Sequence, residues 1–498
     1  MNDHPVSQDP VSQDPASQAE PIIIQGGMGV AVSDWRLARS VSQTGQLGVV
    51  SGTAIDAVLV RRLQLGDAGG HMRRALAQFP YPPMAQRILD RYFIEGGLTD
   101  GAAHATTMVL SHQPTQAELE LVVIANFVEV YLAKEDHDGL VGINYLEKIQ
   151  TPTLPSLFGA MLADVDYVLM GAGIPRAIPG ILDRLRDGLP VELPLHIVGA
   201  QRDDDFVSRF DPIEFGGGEI PWLHRPKFLA IVASATLATM LARKSSGRVD
   251  GFIVEGPTAG GHNAPPRGKS GLNDRGEPVY GARDLVDLDA IAALGLPFWL
   301  AGSYGSPERV REAIESGATG VQVGTAFAFC KQSGFRSDIK ERIISQCRDG
   351  KADVVTDPLA SPTGFPFKVF QIEGSLSDQA VFQQRQRVCD LGFLRQGYRK
   401  PDGNVGWRCP GEPIKSYLRK GGERDDTVGR KCVCNGLMAS IGIPQRRSGD
   451  RQEQPLVTCG NDVAGITQFL ESDNATSYTA ADVVNCLLSA SRVESTIV

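Results

Sequence analysis

Short apolar runs that end in glycine-rich turns recur from Pro21 onward. In chain order they are "PIIIQGGMG" (Pro21), "LGVVSGT" (Leu47), "LVGINYL" (Leu140), "YVLMGAG" (Tyr167), "LPLHIVG" (Leu193), "KFLAIVA" (Lys227), "DGFIVEG" (Asp250), "FWLAGSYG" (Phe298) and "GVQVGTAF" (Gly320). The apolar residues are continuous rather than alternating, which is the pattern of parallel strands covered on both faces. Helical patterns lie between many of them. "DWRLARSVSQTG" begins after a candidate N-cap, Ser33, and stops at Gly45. "SPERVREAIESGA" has Ser306 as cap, Pro307 at the first helical position and Gly317 as terminator. Strand and helix in alternation predict an α/β fold, either a closed barrel or a doubly wound sheet. Nine strand candidates are one too many for a (β/α)8 barrel. The odd one is "LPLHIVG", because "AQRDDDFVSRFDPIEFGGGEIPWLHRP" behind it is polar and has no helical period, and so reads as an excursion.

Two regions break the rhythm. Residues 65–134, after the second strand, read as a mostly helical insertion, and insertions on βα connections tend to lie near the active face of a barrel. Residues 374–498 form a Cys-, Gly- and Arg-rich module that ends in an amphipathic helix near Ala480. The resulting division is a disordered tail over 1–20, a barrel over 21–373 and the Cys-rich module over 374–498. The first twenty residues, acidic and Ser-Gln-Pro-rich without an apolar stretch, do not have the form of a signal peptide.

The net charge of -9 argues against nucleic acid or an acidic membrane as partner. Ala290 to Pro307, the longest charge-free apolar stretch, is broken by Gly295 and Pro297 and does not read as a membrane span. A cytoplasmic location is the expectation. A small-molecule substrate is then the expected partner, with homo-oligomerisation left open.

Phosphate-binding chemistry narrows the choice. "MGAGIPRA" starts like a dinucleotide fingerprint, but Arg176 stands where its third glycine belongs, so a Rossmann reading fails. Gly173 of that turn stays among the candidate cofactor contacts. Better placed are the turns after the last two strands, where Gly302 to Gly305, and Gly324 with Thr325, leave backbone N–H groups free for an anion.

Taken together, "PIIIQGGMG", "VGINYL", "EGPTAGGHNA", "LAGSYGS" and "GVQVGTAF" resemble the nitronate monooxygenase (2-nitropropane dioxygenase) family, whose relatives include FMN-dependent enoyl-thioester reductases. The likeness runs from Pro21 to Phe329. It implies a TIM barrel that holds FMN. Gly26, Gly27, Met28 and Gly29 would pass the flavin ring and Asn144 would touch it. Gly302, Ser303, Gly324 and Thr325 would hold its phosphate. His262 would face the flavin as catalytic base. The residues agree with that assignment: His262 follows a strand's C-terminal end, where barrel enzymes collect catalytic groups. Gly260 and Gly261 allow backbone to approach a flat ligand, and imidazole exchanges protons near neutral pH.

This chain also departs from the pattern. Thr258 replaces the glutamate before "AGGH", Glu255 stands at the strand end instead, and Tyr304 is bulky for a phosphate loop. These differences bear on the substrate more than on the cofactor. The leading expectation is a flavin oxidoreductase that oxidises nitronate-like carbanions with dioxygen. The alternatives are an NAD(P)H-dependent enoyl-thioester reductase and a non-catalytic flavin- or metal-binding assembly component.

The module carries Cys389, Cys409, Cys432 and Cys434 in a loop-rich segment. Four thiolates could complete a zinc or iron–sulfur site. Against that, the Cys-x-Cys spacing and long gaps equally suit buried thiols packing as small hydrophobes.

Overall fold

The computed structural model describes residues 19–99, 101–105, 107, 110–268, 271–447 and 451–489. Eight parallel strands close into a barrel: β1 (Ile23–Gln25), β2 (Leu47–Ser51), β3 (Val141–Leu146), β4 (Tyr167–Gly171), β5 (Lys227–Val232), β6 (Gly251–Glu255), β7 (Phe298–Ala301) and β8 (Gly320–Val323). β8 pairs with β1 through Ile23 and Val321, which closes the ring. The fold is thus the (β/α)8 barrel. Its interior is filled by Ile24, Val49, Leu169, Leu229, Ile253 and Trp299, all fully or almost fully buried. This explains why the strands read as unbroken apolar runs: one face fills the barrel and the other meets the helices.

The surplus strand candidate lies outside the barrel, as its polar sequel suggested. That sequel is not bare loop, however. Val191–Pro194 pairs antiparallel with Val207–Phe210, and a helical turn follows at Pro212–Phe215. Phe210 packs tilted and Phe215 edge-on against Phe158, so three aromatics rather than a helical period order this segment. Another correction concerns the first helix, Trp35–Ser42. Its cap is Asp34, which accepts from the N–H groups of Arg36 and Leu37 at 3.0 and 3.3 Å. The hydroxyl of Ser33 is used elsewhere, accepting from Met28 N–H at 3.0 Å. Ser306 caps Pro307–Glu315 as read from the sequence.

The insertion contains helices His71–Leu76, Pro82–Tyr92 and Gln116–Lys134. The last packs against helices Trp35–Ser42 and Thr153–Leu162 on the barrel wall. Among the described residues the insertion lines no part of the cleft described below, while its Leu110 borders a second space beside that cleft.

Beyond the barrel the chain returns to it repeatedly. Strands Val354–Asp357 and Phe367–Phe370 form a hairpin. Strands Gln396–Arg399 and Val405–Arg408 form another, whose first strand adds Ile197–Val198 of the excursion as a third. Helix Ala480–Leu487 packs on Trp35–Ser42. At the other terminus, residues 1–18 of the expected tail lie outside the described residues. Glu20 is held by Lys227 at 2.6 Å and by the Tyr167 hydroxyl at 2.8 Å. No helix among the described residues is long and apolar enough to cross a membrane.

Candidate active site

One cleft opens at the C-terminal mouth of the barrel, enclosing about 1440 Å³ of atom-free space with its open entrance included. Its floor is the turn after β1. The buried amide of Gln25 fixes that turn, donating to Ser33 Oγ at 2.9 Å and to the Gly26 carbonyl at 2.6 Å, and accepting from Val49 N–H at 3.1 Å. Gly27 is required there, because a Cβ would run into the side chain of Asn144 at the end of β3. Gln322 of β8 lies against Gly26. Its buried Oε1 has no hydrogen-bond partner, and the side chain faces the cleft.

His262 follows the turn after β6. Gly261, at φ 77°, takes the left-handed conformation that brings the chain around, and nothing stands where its Cβ would be. The loop is then sewn to the hairpin beyond the barrel: Lys368 N–H donates to the Gly261 carbonyl and Asn263 N–H to that of Pro366, both at 2.9 Å. The imidazole packs edge-on against Phe367, with centroids 4.8 Å apart, and its Nε2 lies 2.7 Å from Ser361 Oγ. Burial, and secondarily the Lys148 ammonium, push its pKa down to about 4, so the ring is neutral at ordinary pH. Ser361 Oγ also accepts from Thr363 N–H at 3.2 Å and shares a hydrogen bond with Thr363 Oγ1 at 2.8 Å. The network fits a tautomer protonated at Nε2, with the Nδ1 lone pair free.

Glu255 ends β6 in the same cleft, where burial raises its carboxyl to about 8. Near pH 7 it is mostly an acid, able to donate a proton. The cleft therefore holds a neutral base and a protonated acid, their pKa values pushed apart from the usual order.

At the other end lie the turns after β7 and β8, and here a C-terminal strap, Thr458 to Asp462, crosses them. Gly261 N–H donates to Thr458 Oγ1 at 2.9 Å, Asn461 N–H to the Thr258 carbonyl at 3.0 Å, and Gly460 N–H to Thr325 Oγ1 at 2.9 Å. A Cβ on Gly260 would meet the Cys459 backbone at 2.9 Å, so that glycine serves the strap's close approach. Asp462 hydrogen-bonds with the Thr325 hydroxyl and the Gly305 amide, and burial raises its pKa. Its Oδ1 has no partner.

Of the residues singled out from sequence, Gly26, Gly27, Met28, Gly29, Asn144, Gly260, Gly261, His262, Gly302, Ser303, Gly324 and Thr325 all line this cleft. Gly173 does not. It lines an adjoining chamber, where the lack of a side chain makes room for Glu147. The turn after β4 meets the cleft through Gly171 and Ala172 instead. Sequence reasoning missed Gln322, Ser361 and Asp462. Gln322 was readable in principle as a polar residue within an apolar strand. The other two come from segments brought in only by tertiary packing.

The proposed zinc or iron–sulfur site is not formed. Among the described residues no three His, Cys, Asp or Glu side chains gather as metal ligands. The thiols have other uses: Cys389 hydrogen-bonds with Cys409, Cys432 accepts from Asn435 Nδ2 at 3.3 Å, and Cys434 lines the cleft.

The cleft fits a flavin mononucleotide. An orphaned amide oxygen on Gln322 calls for an N–H donor such as the isoalloxazine ring carries, and glycine backbone lines the cleft beside it. The phosphate end fits provided the Asp462 carboxyl, whose pKa is raised in that direction, is protonated or turned aside.

The nitronate monooxygenase family model matches residues 219–357, which contain β5 to β8 and His262. A nitronate monooxygenase of Pseudomonas aeruginosa is 30% identical over 143 residues, 28% of this chain and 39% of that protein. A (3aS,4S,5R,7aS)-5-hydroxy-7a-methyl-1-oxo-octahydro-1H-indene-4-carboxyl-CoA dehydrogenase of Mycobacterium tuberculosis is 30% identical over 148 residues, 29% of this chain and 36% of that protein. The matches thus span little more than a third of these curated relatives. Among solved structures, FabK from Thermotoga maritima aligns with a TM-score of 0.47 at 15% identity, over 96% of this chain and 95% of that one. The family match thus falls on the second half of the barrel, with the histidine loop and both terminal turns.

Proposed function

We propose that the chain is an FMN-dependent oxidoreductase that oxidises nitronates and nitroalkanes with dioxygen. The observation that supports it is the meeting of the glycine turn, Asn144, both terminal turns and a neutral histidine in one cleft. Gln322 and Asn144 would face the ring system, while the turns at Gly302–Ser303 and Gly324–Thr325 would hold the phosphate. Bound FMN would supply electron acceptance from carbon and their transfer to dioxygen.

The residues themselves bind, orient and move a proton. Ser361 fixes Nε2 of His262, so proton removal from the carbon of a neutral nitroalkane falls to Nδ1. A preformed nitronate needs no such step. The strap and Phe367 restrict water around that proton transfer. The test follows from this division. The protein should purify with FMN, and His262→Asn should retain FMN and the oxidation of preformed nitronate while losing neutral nitroalkane. Equal loss with both substrates would refute the role given to His262.

A second reading, reduction of an enoyl thioester by a nicotinamide donor, is favoured by Glu255. A carboxyl protonated near pH 7 can give a proton to a carbanion formed by hydride addition. Glu255→Gln would then abolish an alkaline limb near pH 8 in the reductase rate.

A further inference from the structure

The adjoining chamber is about as large as the cleft, near 1520 Å³ of atom-free space with its entrance, and the two share a wall at Phe393 and Leu394. It is assembled from the turns after β3 and β4, the excursion around His196, and the C-terminal hairpin that carries Arg395 and Trp407. The strand pairing of Gln396–Arg399 with Ile197–Val198 joins two of these walls. Segments this far apart in sequence are held around a space rather than packed across it.

Its chemistry is that of an anion site with an aromatic platform. Lys148 has a distant carbonyl contact, Thr363 O at 3.5 Å, and lies 3.5 Å over the Phe365 ring. Arg395 donates to the Gly392 carbonyl at 3.0 Å and sits 5.9 Å from the Trp407 centroid. Among the described residues neither cation forms a salt bridge, and Lys148 feels the neighbouring Glu147 carboxylate through space. The two carboxyls of the chamber are otherwise engaged: Glu147 accepts from Gln150 Nε2 at 3.1 Å, and Asp56 from the first amides of its own helix. Two cations outside any salt bridge, beside an indole in a concave site, suit a phosphate-bearing nucleotide, through charge-assisted hydrogen bonds and stacking. Lys148 also lies near enough to His262 to affect it electrostatically, so the chamber leads toward the reacting end of the cleft.

We infer that the adjoining chamber is a second binding site, which takes the adenosine phosphate portion of a ligand whose extended arm passes Phe393 and Leu394 to His262. Two sources share this chemistry, a reduced nicotinamide adenine dinucleotide phosphate and a coenzyme A thioester. The inference rests on the flavoprotein reading only for where the arm ends.

The experiment is calorimetric titration of the purified chain, its flavin content recorded, with adenosine 2′,5′-bisphosphate and adenosine 3′,5′-bisphosphate. At least one should bind, and Arg395→Gln and Lys148→Gln should each weaken it roughly tenfold, the loss of one charge-assisted contact. Preference for the 2′,5′ compound assigns the nicotinamide source, and preference for the 3′,5′ compound the thioester. Failure of both to bind at millimolar concentration, or binding unchanged in two variants that melt like the parent, would overturn the site. A protein without flavin that still binds the bisphosphate would leave the site standing and refute the proposed function instead.

Discussion

The cleft and the adjoining chamber are neighbours of similar size built in opposite ways. The cleft is made chiefly from the ends of barrel strands, each followed by a glycine turn, so its parts are short and announce themselves in the chain. The chamber is made from an excursion, a loop and a hairpin nearly two hundred residues apart, with ordinary side chains on each. A barrel mouth serves many chemistries because its turns vary while its strands stay fixed. Here the added segments do more than vary a turn. They seal one end of the cleft with the strap and open a second space beside it.

The sharpest way to test the division is at His262. His262→Asn should lower turnover of a neutral nitroalkane about 10²- to 10⁴-fold, the usual value of a positioned base, with flavin content unchanged. Since burial holds the imidazole near 4, the parent's rate should stay level down to about pH 5 and fall only below that.

Next is the joint between barrel and strap. Gly260→Ala would drive a methyl group into the Cys459 backbone. The expected cost is about 1–3 kcal/mol, read as a lower melting temperature together with weaker flavin retention. An unchanged melting temperature would mean the strap is not closely seated on this turn.

Glu255 gives a stability effect with a definite sign. Its pKa is raised from 4.5 to about 8 on folding, so the folded state binds the proton more tightly. The parent should therefore lose stability as pH rises from 4.5 to 8 relative to Glu255→Gln, with a pH-independent difference below pH 4.5. Parallel melting curves across that range would contradict the buried acid.

Asp462→Asn should have the slightest effect. Removing a carboxyl from the phosphate end should tighten FMN a few-fold at low salt, less at high salt, and leave riboflavin, which has no phosphate, unaffected. Fluorescence titration of the apoprotein with each flavin separates the two.

How much was legible follows from the same contrast. Barrel strands showed because burial on both faces forces unbroken apolar runs, and the odd strand showed because its sequel was polar. Glycine turns and His262 showed because a sharp turn before a reactive side chain leaves a local mark. Asp34 was passed over as a cap because Ser33 offered the same chemistry one residue earlier, and only the fold decides which hydroxyl or carboxylate faces the helix. Gly173 was misplaced for a similar reason: two glycines in one turn look alike, yet one borders the cleft and the other makes room for Glu147. Ser361 and Asp462 left no local mark, since their roles come from segments that meet the barrel after long detours. The cysteines suggested metal by crowding into one segment, and although Cys389 meets Cys409, among the described residues no three ligands gather.

The central claim is that the cleft joins a flavin to a carbanion-type substrate. Anaerobic titration of the purified protein, following the visible flavin absorbance, tests it most directly. The account predicts bleaching by a small nitronate and recovery of the colour on admitting air. Bleaching by NADPH or NADH with no response to nitronate would contradict it and establish the reductase in its place.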